Sequence, residues 1–323
     1  MRFDSLHYDP FFNLNFMISQ PLKAFNFFRN QKTSGTQLLN ISRLMSYDDY
    51  IHRAGSRQRD CAENLSFEKE LAQGRSGLFT YDGYCYVCKD NVELAVDFDY
   101  AYMLDGVLTP NWRERLVCPK CCLNNRMRAV VHIFDLEFNP ARSSNIYITE
   151  QATSLYGLFK ECFPATYGSE YLGSAVSYGG ISESGIRNED LTKISFVDDQ
   201  FDFILSFDVF EHIPNYKKAL AECWRCIKPG GALLFTVPFV RTSEKNLVRA
   251  FLSESGEIVH LLPPEYHGDP INPNGCLCFY HFGWEILEDL KSVGFKSPQA
   301  LLYWSKEFGY LGGEQLIFSA RKE

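Results

Sequence analysis

Between residues 201 and 239, FDFILSFDVFEHIPNYKKALAECWRCIKPGGALLFTVPF, the hydrophobic period changes twice. Phe201 to Leu205 is a short apolar run, the pattern of a strand covered on both faces, and Asp208 to Pro214 brings polar groups to its carboxyl end. From Leu220 the apolar positions Cys223, Trp224 and Ile227 follow at i+3, i+4 and i+7, which predicts a helix with one buried face. Arg225 and Lys228 stand where the helix dipole is negative. Pro229, Gly230 and Gly231 predict its stop, and Ala232 to Val237 a second buried strand. A helix joining two such strands implies a right-handed parallel crossover.

The same alternation from Asn145 to the C-terminus gives an α/β reading. Ile146 to Ile148 is a first strand, Ser154 to Cys162 a helix, and Ala165 to Leu172 a second strand. Trp284 to Val293 is a helix before Gly294, with Ala300 to Trp304 and Gln315 to Ala320 as closing strands. Residues 240–282 are rich in Pro and Gly; a connection of this length inside a compact domain reads as a lid or substrate loop. Residues 1–75 carry no nameable chemistry, but Phe11, Phe12, Phe16, Phe25, Phe27 and Phe28 predict an aromatic-rich cap that packs on the rest. The polar run from Arg53 to Asn64 and Gly74 to Gly77 mark a loose boundary. Three regions follow: a cap or extension over 1–75, a cysteine-bearing module over 76–130, and an α/β domain over 131–323.

Composition narrows the class. An apolar content of 46% with 22% charged residues is ordinary for a globular chain and argues against disorder. A formal charge of −8 disfavours non-specific binding to a nucleic-acid backbone. Asp4, Asp9, Asn13 and Asn15 interrupt any apolar run at the N-terminus, so neither a secretion signal nor a membrane span is expected. The 11 cysteines then belong to a reduced, cytoplasmic protein in which thiols are free or hold metal.

Cys85-Tyr-Val-Cys88 and Cys118-Pro-Lys-Cys121 form two C-x-x-C knuckles, each presenting two sulfurs to one ion. Four thiolates close the shell of a structural zinc and leave no position for water. The long separation predicts an inserted hairpin, and Cys122 is a spare beside Cys121. Reduced core cysteines or a redox pair are the other readings of the four. Arg113, Arg115, Lys120, Arg126 and Arg128 crowd the second knuckle beside Trp112. They read either as an RNA footprint or, preferably, as cations balanced by the thiolates and by Asp97, Asp99 and Asp105.

The phrases FDFILSFDVFEHIP and IKPGGALLFTVP resemble the fourth- and fifth-strand motifs of class I S-adenosylmethionine-dependent methyltransferases. That resemblance covers residues 145–323 and implies a Rossmann-like, doubly wound seven-stranded sheet, with the zinc-ribbon-like module as a small N-terminal addition. IYITEQATSLYG takes the place of the usual Gly-rich loop, with Glu150 and Gln151 as candidate cofactor contacts and Glu150 placed to hold an ammonium group. Glu170, ending the second strand, matches the acidic position that meets ribose hydroxyls; Asp190 and Leu191 match the adenine position. Ser206, Phe207 and Asp208 then flank the methionine portion. CCLNNRMR, GSEYLG, PPEYHGDP and HFGWEIL resemble bacterial methyltransferases that often accompany glycosyltransferases, which implies a glycan or small polar acceptor methylated at oxygen. An RNA base methyltransferase reading substrate through its zinc module, and a non-catalytic binding protein with this fold, are the rivals. For a hydroxyl acceptor a base is needed: His267, on the loop stiffened by Pro263, Pro264 and Pro270, is the first candidate and His212 in FEHIP the second. Glu265 or Asp269 is placed to orient His267, and an ordinary imidazole suits the task.

Overall fold

The computed structural model describes residues 38–323; the Phe11 to Phe28 cluster lies outside them. The described chain begins with strand β1 (Ile41–Leu44) and helices α1 (Tyr47–His52) and α2 (Ala54–Ala72). Two hairpins follow, β2 (Phe79–Cys85) with β3 (Asp90–Val96) and β4 (Tyr102–Leu104) with β5 (Val107–Thr109). The second lies between the two cysteine pairs, as their spacing predicts. Helix α3 (Asn125–Phe138) starts where the Asn124 side chain accepts from the Met127 amide at 2.9 Å, an N-cap that satisfies one of the open donors.

The α/β part runs β6 (Ile146–Ile148), α4 (Ser154–Cys162), β7 (Thr166–Gly168), β8 (Phe201–Phe207), α5 (Tyr216–Cys226) and β9 (Ile227–Thr236). Residues 240–282 carry short strands: β10 (Leu247–Val248), β11 (Ala250–Leu252), β12 (Ile258–His260), β13 (Tyr266–His267), β14 (Cys276–Leu277) and β15 (Tyr280–His281). Helix α6 (Glu285–Ser292) and the long antiparallel pair β16 (Lys296–Ser305) and β17 (Tyr310–Arg321) complete the fold.

One seven-stranded sheet orders these as β1-β16-β17-β9-β8-β6-β7. β7, β6, β8 and β9 are mutually parallel, and β17, β16 and β1 add antiparallel. The sheet is the doubly wound α/β arrangement that the sequence implies, with two departures. The N-terminal region supplies its seventh strand, through Ile41 to Leu44 beside Ala300 to Tyr303. The second strand is shorter than Ala165 to Leu172: beyond Gly168 it keeps only an isolated parallel bridge between Glu170 and Asn188.

Alternation along the strands explains the layers. Ile146, Ile148, Leu205, Phe207 and Leu234 face one way, into a core shared with α3, α4 and the cysteine hairpins. Tyr147, Ile204, Leu233 and Phe235 face the other way, onto α5 and α6. Side chains of this kind, covered on both faces of a parallel sheet, contribute about 1.5–3 kcal/mol each. Strand β9 begins five residues earlier than Ala232 because the Pro-Gly-Gly turn is itself pinned: the Gly230 amide donates to the Lys322 carbonyl at 2.7 Å, with Gly230 at φ +83°. No helix among the described residues is long and apolar enough to cross a membrane.

Candidate active site

Chain connections leave β6 toward β7 on one side and β8 on the other, so the sheet has its switch point between β6 and β8, where α/β folds bind ligands at the carboxyl ends. Glu150, Gln151, Ser206, Phe207 and Asp208 all stand there. Glu150 follows β6; burial pushes its carboxyl up to about 7 against the pull of Arg126, and its Oε1 is buried without a hydrogen-bond partner. The Gly-poor loop after it is held from across the cleft. The amides of Gln151 and Ala152 both donate to Glu170 Oε1 at 2.7 Å, and the Arg187 amide donates to Gln151 Oε1 at 2.9 Å. A carboxylate thus does for this loop what tight glycine turns do elsewhere. Glu170 Oε2 makes no hydrogen bond among the described residues.

Asp190 is further along the edge, where its Oδ1 accepts from the Thr192 amide and hydroxyl at 2.8 Å each; Leu191 beside it is buried. Ser206 is fully buried and accepts from the Thr149 hydroxyl at 3.0 Å, and Phe207 is buried in the sheet. Asp208 is the residue whose surroundings differ most from expectation. Arg113 Nη2 donates to both its oxygens at 2.9 Å, the Thr236 hydroxyl donates at 3.0 Å, and Arg126 Nε lies at 3.3 Å. Burial pushes the Asp208 carboxyl up, but Arg113 and Arg126 overcome it and hold it well below the usual carboxylate range. The cysteine-bearing region therefore grips the end of β8 through its own arginines, and Glu114 bonds both of them from the other side.

The remaining cations near the second knuckle are also paired or buried. Arg115 meets Asp97 and Asp99, Lys120 meets Asp90, and Arg128 is fully buried with its guanidinium donating to the carbonyls of Phe308, Leu116 and Gly309. Charge pairing of this kind leaves little free cationic surface for phosphates.

Cys85, Cys88, Cys118 and Cys121 converge as one buried group, Cys85 closing β2 and Cys118 following Val117, which bridges Ala95. Sulfur separations are 3.8 Å for Cys85–Cys121 and 3.7 Å for Cys88–Cys118. Four sulfurs each about 2.3 Å from a tetrahedral ion lie about 3.8 Å apart, so the group has the dimensions of a zinc shell. The Lys120 amide points at Cys118 Sγ from 3.4 Å, a donor suited to a thiolate. Cys122 is exposed and outside the group.

His212 and His267, distant in sequence, meet edge to face with ring centroids 4.9 Å apart. His212 lies in a one-turn 3-10 helix, Phe210–His212, just past β8, and the loop strand β13 brings His267 over it. The surroundings of His267 are not those of an ordinary imidazole. Burial pushes it down, but Cys278, Glu211 and Glu265 around it raise it to about 11. Such a ring holds its proton at neutral pH, which is a correction to its reading as a free base. Glu265 does orient it, through a 3.0 Å contact from Nε2, and also meets His281 Nε2 at 3.0 Å. Sequence reasoning passed over Glu211, Cys278 and His281; the first adjoins His212 in FEHIP and the others lie in CLCFYHFG.

Residues 160–235, the span from α4 through most of β9, match the family described as the methyltransferase domain. Those residues carry a methyltransferase domain. No curated protein matches it in sequence. Among solved structures it is similar to an S-adenosylmethionine-dependent methyltransferase from Mesorhizobium loti, at 12% identity over 61% of this chain and 98% of that one, with a TM-score of 0.36. It is also similar to DesVI of Streptomyces venezuelae, at 12% identity, 62% and 92% coverage and a TM-score of 0.38. The Burkholderia thailandensis 1,6-didemethyltoxoflavin-N1-methyltransferase, with bound 1,6-didemethyltoxoflavin and S-adenosylhomocysteine, gives 16% identity, 61% and 77% coverage and a TM-score of 0.35. The buried, unpartnered Glu150 oxygen at the switch point is an acceptor that the ammonium group of a bound ligand would complete.

Proposed function

We propose that this methyltransferase domain methylates a hydroxyl of a carbohydrate or another small polar acceptor. The observation that carries the reading is the convergence of His212, His267 and Glu211 past the end of β8, under the 240–282 loop and beside the cofactor switch point. Such a polar cluster is suited to holding an oxygen nucleophile, with His212 as the group placed to take its proton. Bound S-adenosylmethionine supplies a sulfonium methyl group, a strong electrophile. Around it the chain's own residues have distinct tasks. Glu150 faces the ammonium, Glu170 offers its second oxygen to the ribose, and Asp190 with Leu191 forms the adenine edge. Ser206, Phe207 and the arginine-clamped Asp208 form the floor near the methionine portion. Cys85, Cys88, Cys118 and Cys121 hold a structural zinc that stiffens the module carrying Arg113 and Arg126.

The acidic net charge and the pairing of Arg113, Arg115, Lys120 and Arg126 with carboxylates favour a small acceptor over RNA. Incubating the purified protein with methyl-labelled cofactor and with glycan, nucleotide-sugar and RNA fractions tests the reading. Label in sugar-containing fractions is the expected result. Label confined to RNA, or no transfer to any fraction by protein that binds cofactor, overturns it.

A further inference from the structure

Glu211 is fully buried, yet neither of its carboxylate oxygens has a hydrogen-bond partner. A buried carboxylate in this setting is completed either by protons on the imidazoles that face it or by a metal ion standing in their place. Two imidazole nitrogens face it: His212 Nε2 and His267 Nδ1 each lie 3.5 Å from Glu211 Oε1. That separation is too long for a good N–H···O hydrogen bond. It is the right length for donors sharing an ion, since ligands at about 2.0–2.1 Å in a tetrahedral shell are about 3.3 Å apart. The three donors lie within 4.8 Å of one another.

The outer contacts set the lone pairs. His212 Nδ1 is 2.8 Å from the Leu277 carbonyl, which only accepts, so Nδ1 carries the hydrogen and Nε2 turns its lone pair toward Glu211. His267 Nε2 is 3.0 Å from Glu265 Oε1, and Arg249 Nη2 holds Glu265 Oε2 at 3.0 Å, so Nε2 keeps its hydrogen and Nδ1 faces the same point, where a bound ion takes the place of the Nδ1 proton. A metal-binding histidine ordinarily has its second nitrogen fixed by a carbonyl or carboxylate in just this manner. The backbone stitches the pieces together, with the Phe279 amide donating to the Glu211 carbonyl at 2.7 Å. The neighbouring group of Glu265, Cys278 and His281 is a weaker candidate, because Glu265 is already satisfied by two imidazoles and an arginine.

We propose that Glu211, His212 Nε2 and His267 Nδ1 bind a divalent ion of the zinc class, separate from the four-cysteine group and with one coordination position left open. Three protein ligands with an open position mark a metal that can hold a water or a hydroxyl oxygen. On the reading of hydroxyl methylation, that position takes the acceptor oxygen; this step rests on that reading, whereas the metal site does not.

The test is metal content of the intact protein, purified in zinc buffer and freed of excess ion by gel filtration. The parent is expected to carry two zinc ions per chain, and Glu211→Gln and His267→Ala one each with unchanged circular dichroism. Cobalt(II) replacement separates the sites, because the four-cysteine site gives intense thiolate charge-transfer bands and the proposed site gives only weak ligand-field bands. Those weak bands should be absent from both variants. Should Glu211→Gln fail to fold, His267→Ala, on the half-exposed loop, carries the test alone. One zinc in the parent, or two retained in His267→Ala, overturns the proposal. Two zinc ions in a parent that methylates no hydroxyl would leave the site standing and remove only the acceptor reading.

Discussion

Replacing Asp208 by asparagine keeps the side-chain shape and removes one charge from the junction between the cysteine-bearing region and the methyltransferase sheet. Asparagine also tolerates the left-handed backbone there, φ +54°, so little strain is added. The asparagine retains an oxygen for the Thr236 hydroxyl but loses the second acceptor that Arg113 Nη2 meets at 2.9 Å and the negative charge 3.3 Å from Arg126 Nε. Removing one partner from a buried ion pair costs about 3–5 kcal/mol when the other is orphaned. Here Glu114 still bonds Arg126 Nε at 3.0 Å and also meets Arg113, so neither guanidinium is abandoned. The loss expected is therefore about 1.5–3 kcal/mol, the range of charged hydrogen bonds. Urea unfolding at pH 7 with zinc present, followed by tryptophan fluorescence, measures it; buried Trp112 adjoins Arg113 and reports on the junction.

The sign of the pH dependence follows from the depressed Asp208 carboxyl. Its stabilisation is complete above its unfolded pKa of about 3.9 and is lost as pH falls below that toward the folded value. The gap between parent and Asp208→Asn should be full at neutral pH and shrink below about pH 4. A neutral-pH difference under about 0.5 kcal/mol, or one unchanged in acid, would show that the arginine clamp does not hold β8 to the cysteine module.

Three further outcomes are expected. Cys88→Ser should lose the zinc of the four-cysteine group and melt at a lower temperature, since metal affinity there is folding free energy; elemental analysis with calorimetry checks both, and a variant that holds zinc like the parent refutes it. Glu170→Ala should weaken S-adenosylhomocysteine binding by about 1.5–3 kcal/mol in titration calorimetry while the fold persists, because a ribose acceptor and the clamp on the Gln151 and Ala152 amides vanish together; an unchanged Kd refutes it. Glu150, pushed up to about 7, should make cofactor affinity rise as pH climbs through neutrality and its carboxylate forms. Glu150→Gln should flatten that profile, and a pH-independent Kd in the parent removes Glu150 from ammonium binding.

Much of the fold was legible because its signals are local. Phe201 to Leu205 and the Leu220, Cys223, Trp224 spacing carry their own periods, and both elements form where those periods lie. The four-cysteine group was legible because each C-x-x-C is a local turn. β1 was not, since Ile41 to Leu44 is a four-residue pattern whose partner, β16, lies near the other end of the chain. The second strand was over-read for the opposite reason: Tyr171 and Leu172 are apolar, but Asn188 offers only one bridge there and turns its side chain to the backbone of Leu172, Gly173 and Val176.

The site divides the same way. His212 and His267 could be picked by residue type, and the loop brings them together, but their chemistry depends on what surrounds them. Glu211 lies one residue from His212, and nothing in the string FEHIP distinguishes a solvated glutamate from one sealed without a partner; that distinction exists only once Phe210 packs on Phe235 and the Cys276 to His281 segment closes over the turn. Asp208 makes the same point in electrostatics. Position alone placed it beside the cofactor, whereas its ionisation is set by Arg113 and Arg126, residues that read from sequence as cations balanced by the thiolates and carboxylates of a separate module. Arg128 and Asn125 extend that link into the sheet by bonding the carbonyls of Phe308, Gly309 and Leu311 near the start of β17. The cysteine-bearing region is thus a wall of the methyltransferase core: its arginines Arg113 and Arg126 bond the end of β8, and Arg128 and Asn125 of α3 bond the start of β17, so the four-sulfur group and the proposed site share one set of contacts.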